Sequence, residues 1–207
     1  MFNSIMVVVF LISFALVVFI CQILTAKFKI ATEISRKISH VLSCFISLGF
    51  YPVLNLWEVT LIGVLAIVFL WVVQKLKKVT FLDSHTRKTY GEYFLILGIY
   101  SAFLLASILE NFTAYIFAIV VLALADTAAA FGGIVSKSGK TNFGSGLFLS
   151  VYLIISLITS LFFSDFNLWL LISLGIIVTI AERVSFFGSD NLLIPTISYL
   201  SFYISTK

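Results

Sequence analysis

Asp126 is an acid inside an otherwise apolar run, residues 112–135. An ionisable group in such a run is expensive to keep there and marks a functional site by default. Ala129 and Gly133 follow at three and seven residues, on the helix face that carries Asp126. Small residues there let a backbone or a ligand come close. A carboxylate so placed suits a hard cation such as Mg2+, which takes oxygen ligands and bridges phosphates. The plainer reading is an aspartate satisfied by a polar group of a neighbouring helix.

Three other segments carry groups of the same kind. In Glu33-Ile-Ser-Arg36-Lys37-Ile-Ser-His40 the spacings of three, four and seven put Glu33, Arg36, Lys37 and His40 on one helical face. Arginine offers a fork of donors for phosphate oxygens, lysine a point charge, and histidine a proton relay near neutral pH. Ordinary charges at a helix start are the alternative. Around residues 133–141, Gly133, Lys137, Lys140 and Thr141 suggest a phosphate cradle, but not a P-loop. Position 134, where that motif needs its first glycine, is Ile134, and an apolar helix rather than a strand precedes it. Beyond Glu182, Asp190 and Asn191 could complete a metal or ribose site. Asp190 and Asn191 would equally suit the N-cap of a last helix.

The elements that must position these groups are membrane helices. Of 207 residues, 61% are hydrophobic and 11% charged, and the mean hydropathy is +1.18. A soluble domain is about half apolar and a quarter charged, so a water-facing globular surface is excluded, as is disorder. Apolar runs fall at 5–24, 38–54, 56–74, 93–109, 112–135, 146–163 and 166–181, with a shorter one at 192–204 that holds Pro195. They are too long and uniform for barrel strands. The expectation is one all-α, polytopic integral membrane domain over 1–207, with seven to eight transmembrane helices and the motif-bearing part at about 33–195. The first run is expected to be retained rather than cleaved.

Charge sets the expected orientation. Lys27, Lys29, Arg36 and Lys37 follow the first run, Lys75, Lys77, Lys78, Arg87 and Lys88 the third, Lys137 and Lys140 the fifth, and Arg183 the seventh. The intervening loops hold Glu58, Glu110 and Asp165 and no lysine or arginine. The positive-inside rule then puts the N-terminus outside and both histidines, most acids and the glycine-rich segment at the cytoplasmic face. A net charge of +4 gathered there suits anionic headgroups or a phosphate-bearing substrate. Cys21 and Cys44 lie within apolar runs and read as small hydrophobes.

In combination, Glu33-x-x-Arg36-Lys37-x-x-His40 resembles the opening motif of the CTP-dependent lipid-alcohol kinases: dolichol kinase, phytol kinase and the CTP-using diacylglycerol kinase, with phosphatidate cytidylyltransferase as a distant relative. Arg87-Lys-Thr-Tyr90-Gly91-Glu92 resembles their next cytoplasmic motif, and Asp126-x-x-Ala129-x-x-x-Gly133 their membrane-embedded aspartate motif. Lys140-Thr141-Asn-Phe-Gly144-Ser145 and the closing Glu182…Asp190-Asn191…Pro195 resemble the last two. The stretch between Gly133 and Lys140 is short for the family, and Phe143 stands where an acid is more usual.

The resemblance implies a kinase that moves the γ-phosphoryl of CTP to the hydroxyl of a membrane lipid alcohol (polyprenol, phytol or diacylglycerol). No nucleic-acid partner is implied. Asp126 would hold Mg2+ with Asp190 as a second carboxylate. Arg36, Lys37, Gly133, Lys137, Lys140, Thr141 and Asn191 would bind nucleotide and phosphate, with His40, Glu33 and Lys37 beside Asp126 as catalytic groups. Arg87, Tyr90, Gly91, Glu92 and Glu182 complete the motifs. The alternatives are a cytidylyltransferase acting on a phosphatidate-like lipid, and a non-enzymatic transporter or partner protein. Paired broken helices and an internal repeat, which a transporter would favour, are lacking.

Overall fold

The computed structural model describes residues 3–76, 79, 90–136 and 139–207. Among these the chain is helical throughout its regular structure, with nine helices: α1 (Ser4–Ala26), α2 (Thr32–Ser47), α3 (Phe50–Val53), α4 (Leu56–Lys75), α5 (Gly91–Leu109), α6 (Phe112–Val135), α7 (Asn142–Phe162), α8 (Leu168–Val184) and α9 (Asp190–Ser205). All eight apolar runs become helical. Residues 38–54 differ most from expectation. Their helix begins at Thr32, so that 33–40 forms the helical face expected from its spacing, but it breaks after Ser47; Gly49 then starts the single turn α3.

Five of the nine helices described start on a side-chain cap. Asn3, Asn55, Asn111, Thr141 and Asn167 each accept a hydrogen bond from the backbone N–H three residues on. Each replaces one partner that an N-terminal turn lacks. At Asn55 the box is reciprocal, since Glu58 accepts from the Asn55 N–H at 2.7 Å. Glu58 also accepts from the backbone N–H of Asn3, which fastens the start of α1 to the start of α4.

α6 is the hub. It packs on α7, α9, α2 and α5, while α1 packs on α2 and α4 at the edge, and α8 on α7 and α9. Close approach needs small residues at two crossings. A Cβ on Gly132 of α6 would lie 2.5 Å from the Cα of Gly144 in α7, and one on Gly98 of α5 would lie 2.0 Å from the carbonyl oxygen of Asn191 in α9. Aromatic rings of Phe50, Tyr51, Phe103, Phe112 and Tyr115 interlock at the end of the bundle that holds Ser47, where the Tyr115 hydroxyl donates to the Ser47 carbonyl at 2.6 Å. The opposite, basic end gathers the starts of α2, α5 and α9 with the ends of α4 and α8. Tyr93 donates there to Gln74, and the Tyr90 N–H to the Phe187 carbonyl.

Outward faces are apolar: Ile12, Phe19, Val64, Trp71, Leu161 and Ile180 are all exposed. So broad a surface is a contact for lipid, not for water. α1, α4, α5, α6 and α7 are long and apolar enough to cross a bilayer, consistent with a multi-pass membrane protein. α2, α8 and α9, with 16, 17 and 16 residues, rise only about 24–26 Å at 1.5 Å per residue, against a hydrocarbon core of about 30 Å.

Gly132→Ala is expected to lower stability by about 1–3 kcal/mol, the scale of overpacking, by forcing α6 from α7. Gly146→Ala, with nothing within 4 Å of its added Cβ, should be neutral or slightly stabilising. Thermal unfolding of both variants in detergent checks the contrast.

Candidate functional site

Asp126 lies nine residues before the end of α6, about 14 Å into the bundle by the helical rise, and is 3% exposed. A buried carboxylate needs a partner, and α2 supplies it. The Lys37 ammonium donates to Asp126 Oδ2 at 2.5 Å. His40 Nε2 stands 3.7 Å from the same oxygen and 3.2 Å from the Leu122 carbonyl. A carbonyl only accepts, so Nε2 carries the hydrogen and Nδ1 of a neutral ring is the acceptor.

A second lysine serves three more helices. Lys140, just ahead of α7, donates to the backbone carbonyl of Glu182 and to Ser185 Oγ. Its ammonium is 2.9 Å from Asp190 Oδ2 and 3.5 Å from Glu182 Oε1. Ser145 donates to the other oxygen of Glu182 at 3.2 Å. The two groups form one electrostatic unit, for Asp126 lies within reach of Lys140 and of Glu182. Segments far apart in sequence thus meet at the basic end, with three carboxylates facing two ammonium groups. That balance leaves room for further positive charge.

Other expected residues are divided from this unit. The face formed by Glu33, Arg36, Lys37 and His40 splits between partners: Lys37 and His40 turn to α6, Arg36 and Glu33 toward α5. Arg36 pairs with Glu33 at 3.0 Å, and its Nε is 3.9 Å from Glu92 Oε1. Glu33 remains exposed at 43%. Tyr90 caps α5 with its ring outward, and the Gly91 carbonyl accepts from the Asn191 side chain at 2.8 Å, so Asn191 joins α9 to α5. Ser189 rather than Asp190 or Asn191 occupies the N-cap position of α9, leaving Asp190 in the first turn, where helix polarity favours an acid. Thr141 is the N-cap of α7. Gly133 is half-buried within α6, whereas its neighbour Gly132 makes the close crossing. Arg87 and Lys137 lie outside the described residues.

One member of the unit, Ser185, carries no signal in sequence, and another, Ser145, is legible only as the end of the Lys140–Ser145 motif. Ser185 is an ordinary serine after a helix until Lys140 reaches it. Ser145 stands beside Gly144 without any pattern that assigns it to Glu182. Among the described residues, no three His, Cys, Asp or Glu side chains converge as a ready-made metal set. Mg2+ does not require one, because it usually keeps several waters and takes one or two carboxylates together with substrate phosphates.

No protein-family model, no curated protein and no solved structure matches this chain.

Lys37→Met should destabilise the protein by about 3–5 kcal/mol, because it strands a buried carboxylate, and Lys37→Met with Asp126→Leu should recover most of that loss. Unfolding of the single and double variants under one detergent condition measures the coupling.

Proposed function

We propose that the protein is an integral-membrane kinase transferring the γ-phosphoryl of CTP to the hydroxyl of a lipid alcohol. In this reading the chain has seven to eight spans, its N-terminus outside, and the basic end in the cytoplasm. The observation that carries it is the meeting of Lys37, Asp126, Lys140, Glu182 and Asp190 at that one end. Phosphoryl transfer asks mainly for positioning and charge neutralisation, and this group offers both signs of charge in a buried setting.

The residues fit a magnesium nucleotide. Asp126 and Asp190 would hold Mg2+, and the surplus carboxylate over the two lysines leaves charge for it to balance. When bound, the ion neutralises phosphate charge. Lys37 and Lys140 would turn part of their hydrogen bonding to phosphate oxygens, with Arg36 at the flank. A bond forms between the lipid oxygen and the γ-phosphorus as the bond to the CDP oxygen breaks, giving lipid monophosphate and CDP. The hydroxyl proton leaves to a base. His40, held at Nε2 by the Leu122 carbonyl and beside Asp126, would take it at Nδ1; Glu33, exposed and paired with Arg36, is less well situated.

Purified protein given Mg2+, lipid alcohols and phosphatidate, with CTP labelled separately at the α and γ phosphates, decides the reaction. The expected result is γ label alone in the lipid. Label from the α position alone would make the protein a cytidylyltransferase, and none from either would remove both enzyme readings. Asp126→Asn, shown to be folded, should lower turnover at least about a hundredfold, the scale of several kcal/mol of charge stabilisation. Near-normal turnover would sink the assignment to Asp126.

A further inference from the structure

The turn between α8 and α9 is strained. Phe187 has a φ of 54°, and Gly188 follows at 87°. Glycine adopts the left-handed region freely. A bulky side chain there is an outlier, and persists only where its surroundings hold it. The turn is clasped from both sides. Ahead of it, the Lys140 ammonium donates to Ser185 Oγ at 2.5 Å and to the Glu182 carbonyl. Beyond it, the same ammonium pairs with Asp190 Oδ2 at 2.9 Å. Within it, the Phe187 carbonyl accepts from the Tyr90 N–H at 3.0 Å. The rings of Phe186 and Phe187 are 71% and 61% exposed, so little of this turn is buried.

An ammonium has three hydrogens to donate. Those of Lys140 are taken by the Glu182 carbonyl, Ser185 Oγ and Asp190 Oδ2. A phosphate oxygen therefore gains a donor from Lys140 only by displacing one of them. The lysine side chain is 22% exposed, so an anion can reach it from the basic end. An ionised phosphate oxygen competes better for an ammonium than a neutral carbonyl or hydroxyl does. The two neutral oxygens at the end of α8 therefore yield before Asp190. Their loss frees the α8 side of the turn, and Phe187 can return to the backbone region that its side chain prefers.

We infer that residues 185–189 form a strained clasp, which opens when a polyphosphate ligand takes over Lys140. Strain at Phe187 raises the energy of the closed form only, so it favours the open, phosphate-bound one. A side chain that fits the left-handed region holds the clasp shut and weakens binding. A side chain that fits it worse does the reverse. The inference rests on the kinase reading for its natural ligand, the phosphates of a nucleotide, though not for the geometry of the clasp.

The probe is inorganic pyrophosphate, added at constant ionic strength to the full chain in phosphatidylcholine nanodiscs. A nitroxide is attached through Phe186→Cys; Cys21 and Cys44 are buried, so labelling is confined to the exposed turn. Saturable pyrophosphate binding is expected to raise the mobility of the label, and Lys140→Met to remove both effects. Asparagine tolerates left-handed backbone and valine does not. Phe187→Asn should therefore raise the half-saturating concentration at least threefold, and Phe187→Val should lower it at least threefold. Both variants lack the ring, so its loss alone cannot move them in opposite directions. This pair keeps the test decisive should Lys140→Met fail to fold. Shifts of like sign, or none, overturn the clasp, as do bound pyrophosphate with unchanged mobility and the absence of saturable binding. Clasp opening without γ transfer from CTP keeps the clasp and removes the kinase; γ transfer without opening keeps the kinase and removes the clasp.

Discussion

A carboxylate buried among apolar helices must be matched in charge where it stands. Asp126 imposes that requirement on its whole surroundings. Its partner, Lys37, comes from the first turns of α2. Lys140, Glu182, Ser185 and Asp190 repeat the arrangement one layer further out, so that α7, α8 and α9 are pinned at the same end. Replacing such a pair by well-packed apolar groups often leaves stability unchanged or improved. Stability alone therefore does not explain two lysines and three carboxylates here.

The packing makes this charge group reachable by several helices at once. Lys140 can address α8 and α9 only because α7 lies almost backbone to backbone on α6 at Gly132 and Gly144. α5 and α9 meet in the same manner at Gly98, and that contact brings Asn191 against Gly91. α2 divides two environments, with charge on its α6 side and an apolar groove among α1, α4 and α5 on the other. Adjacent residues, Arg36 and Lys37, belong to different neighbourhoods.

Much of the fold is legible in the sequence, because lipid-facing helices need long apolar runs and tolerate little else. The run at 112–135 coincides with α6, and Asp126 stood out inside it. The break after Ser47 was less visible, since only Gly49 and Pro52 mark it within 38–54. For the site, spacing put Glu33, Arg36, Lys37 and His40 on one face. It could not say that neighbouring helices would claim opposite edges of that face. Roles for Thr141 and Asn191 were hidden for a related reason: a cap and a bridge between helices use the same polar atoms that a phosphate would. Ser145 and Ser185 matter only through tertiary neighbours.

The short helices have a consequence for the surrounding bilayer. α2, α8 and α9 carry the charge group on their turns at the basic end, and they are several ångströms shorter than an average hydrocarbon slab. Were these three helices to cross a membrane, as the proposed topology has it, the hydrophobic mismatch would be relieved by thinning or by a local dimple on the short side. The dimple would form where Asp126 lies deepest, bringing headgroups and water toward a carboxylate that a flat leaflet would hold under hydrocarbon. Membrane thickness would then act on access to Asp126, and thinner membranes would suit this bundle better than sterol-thickened ones.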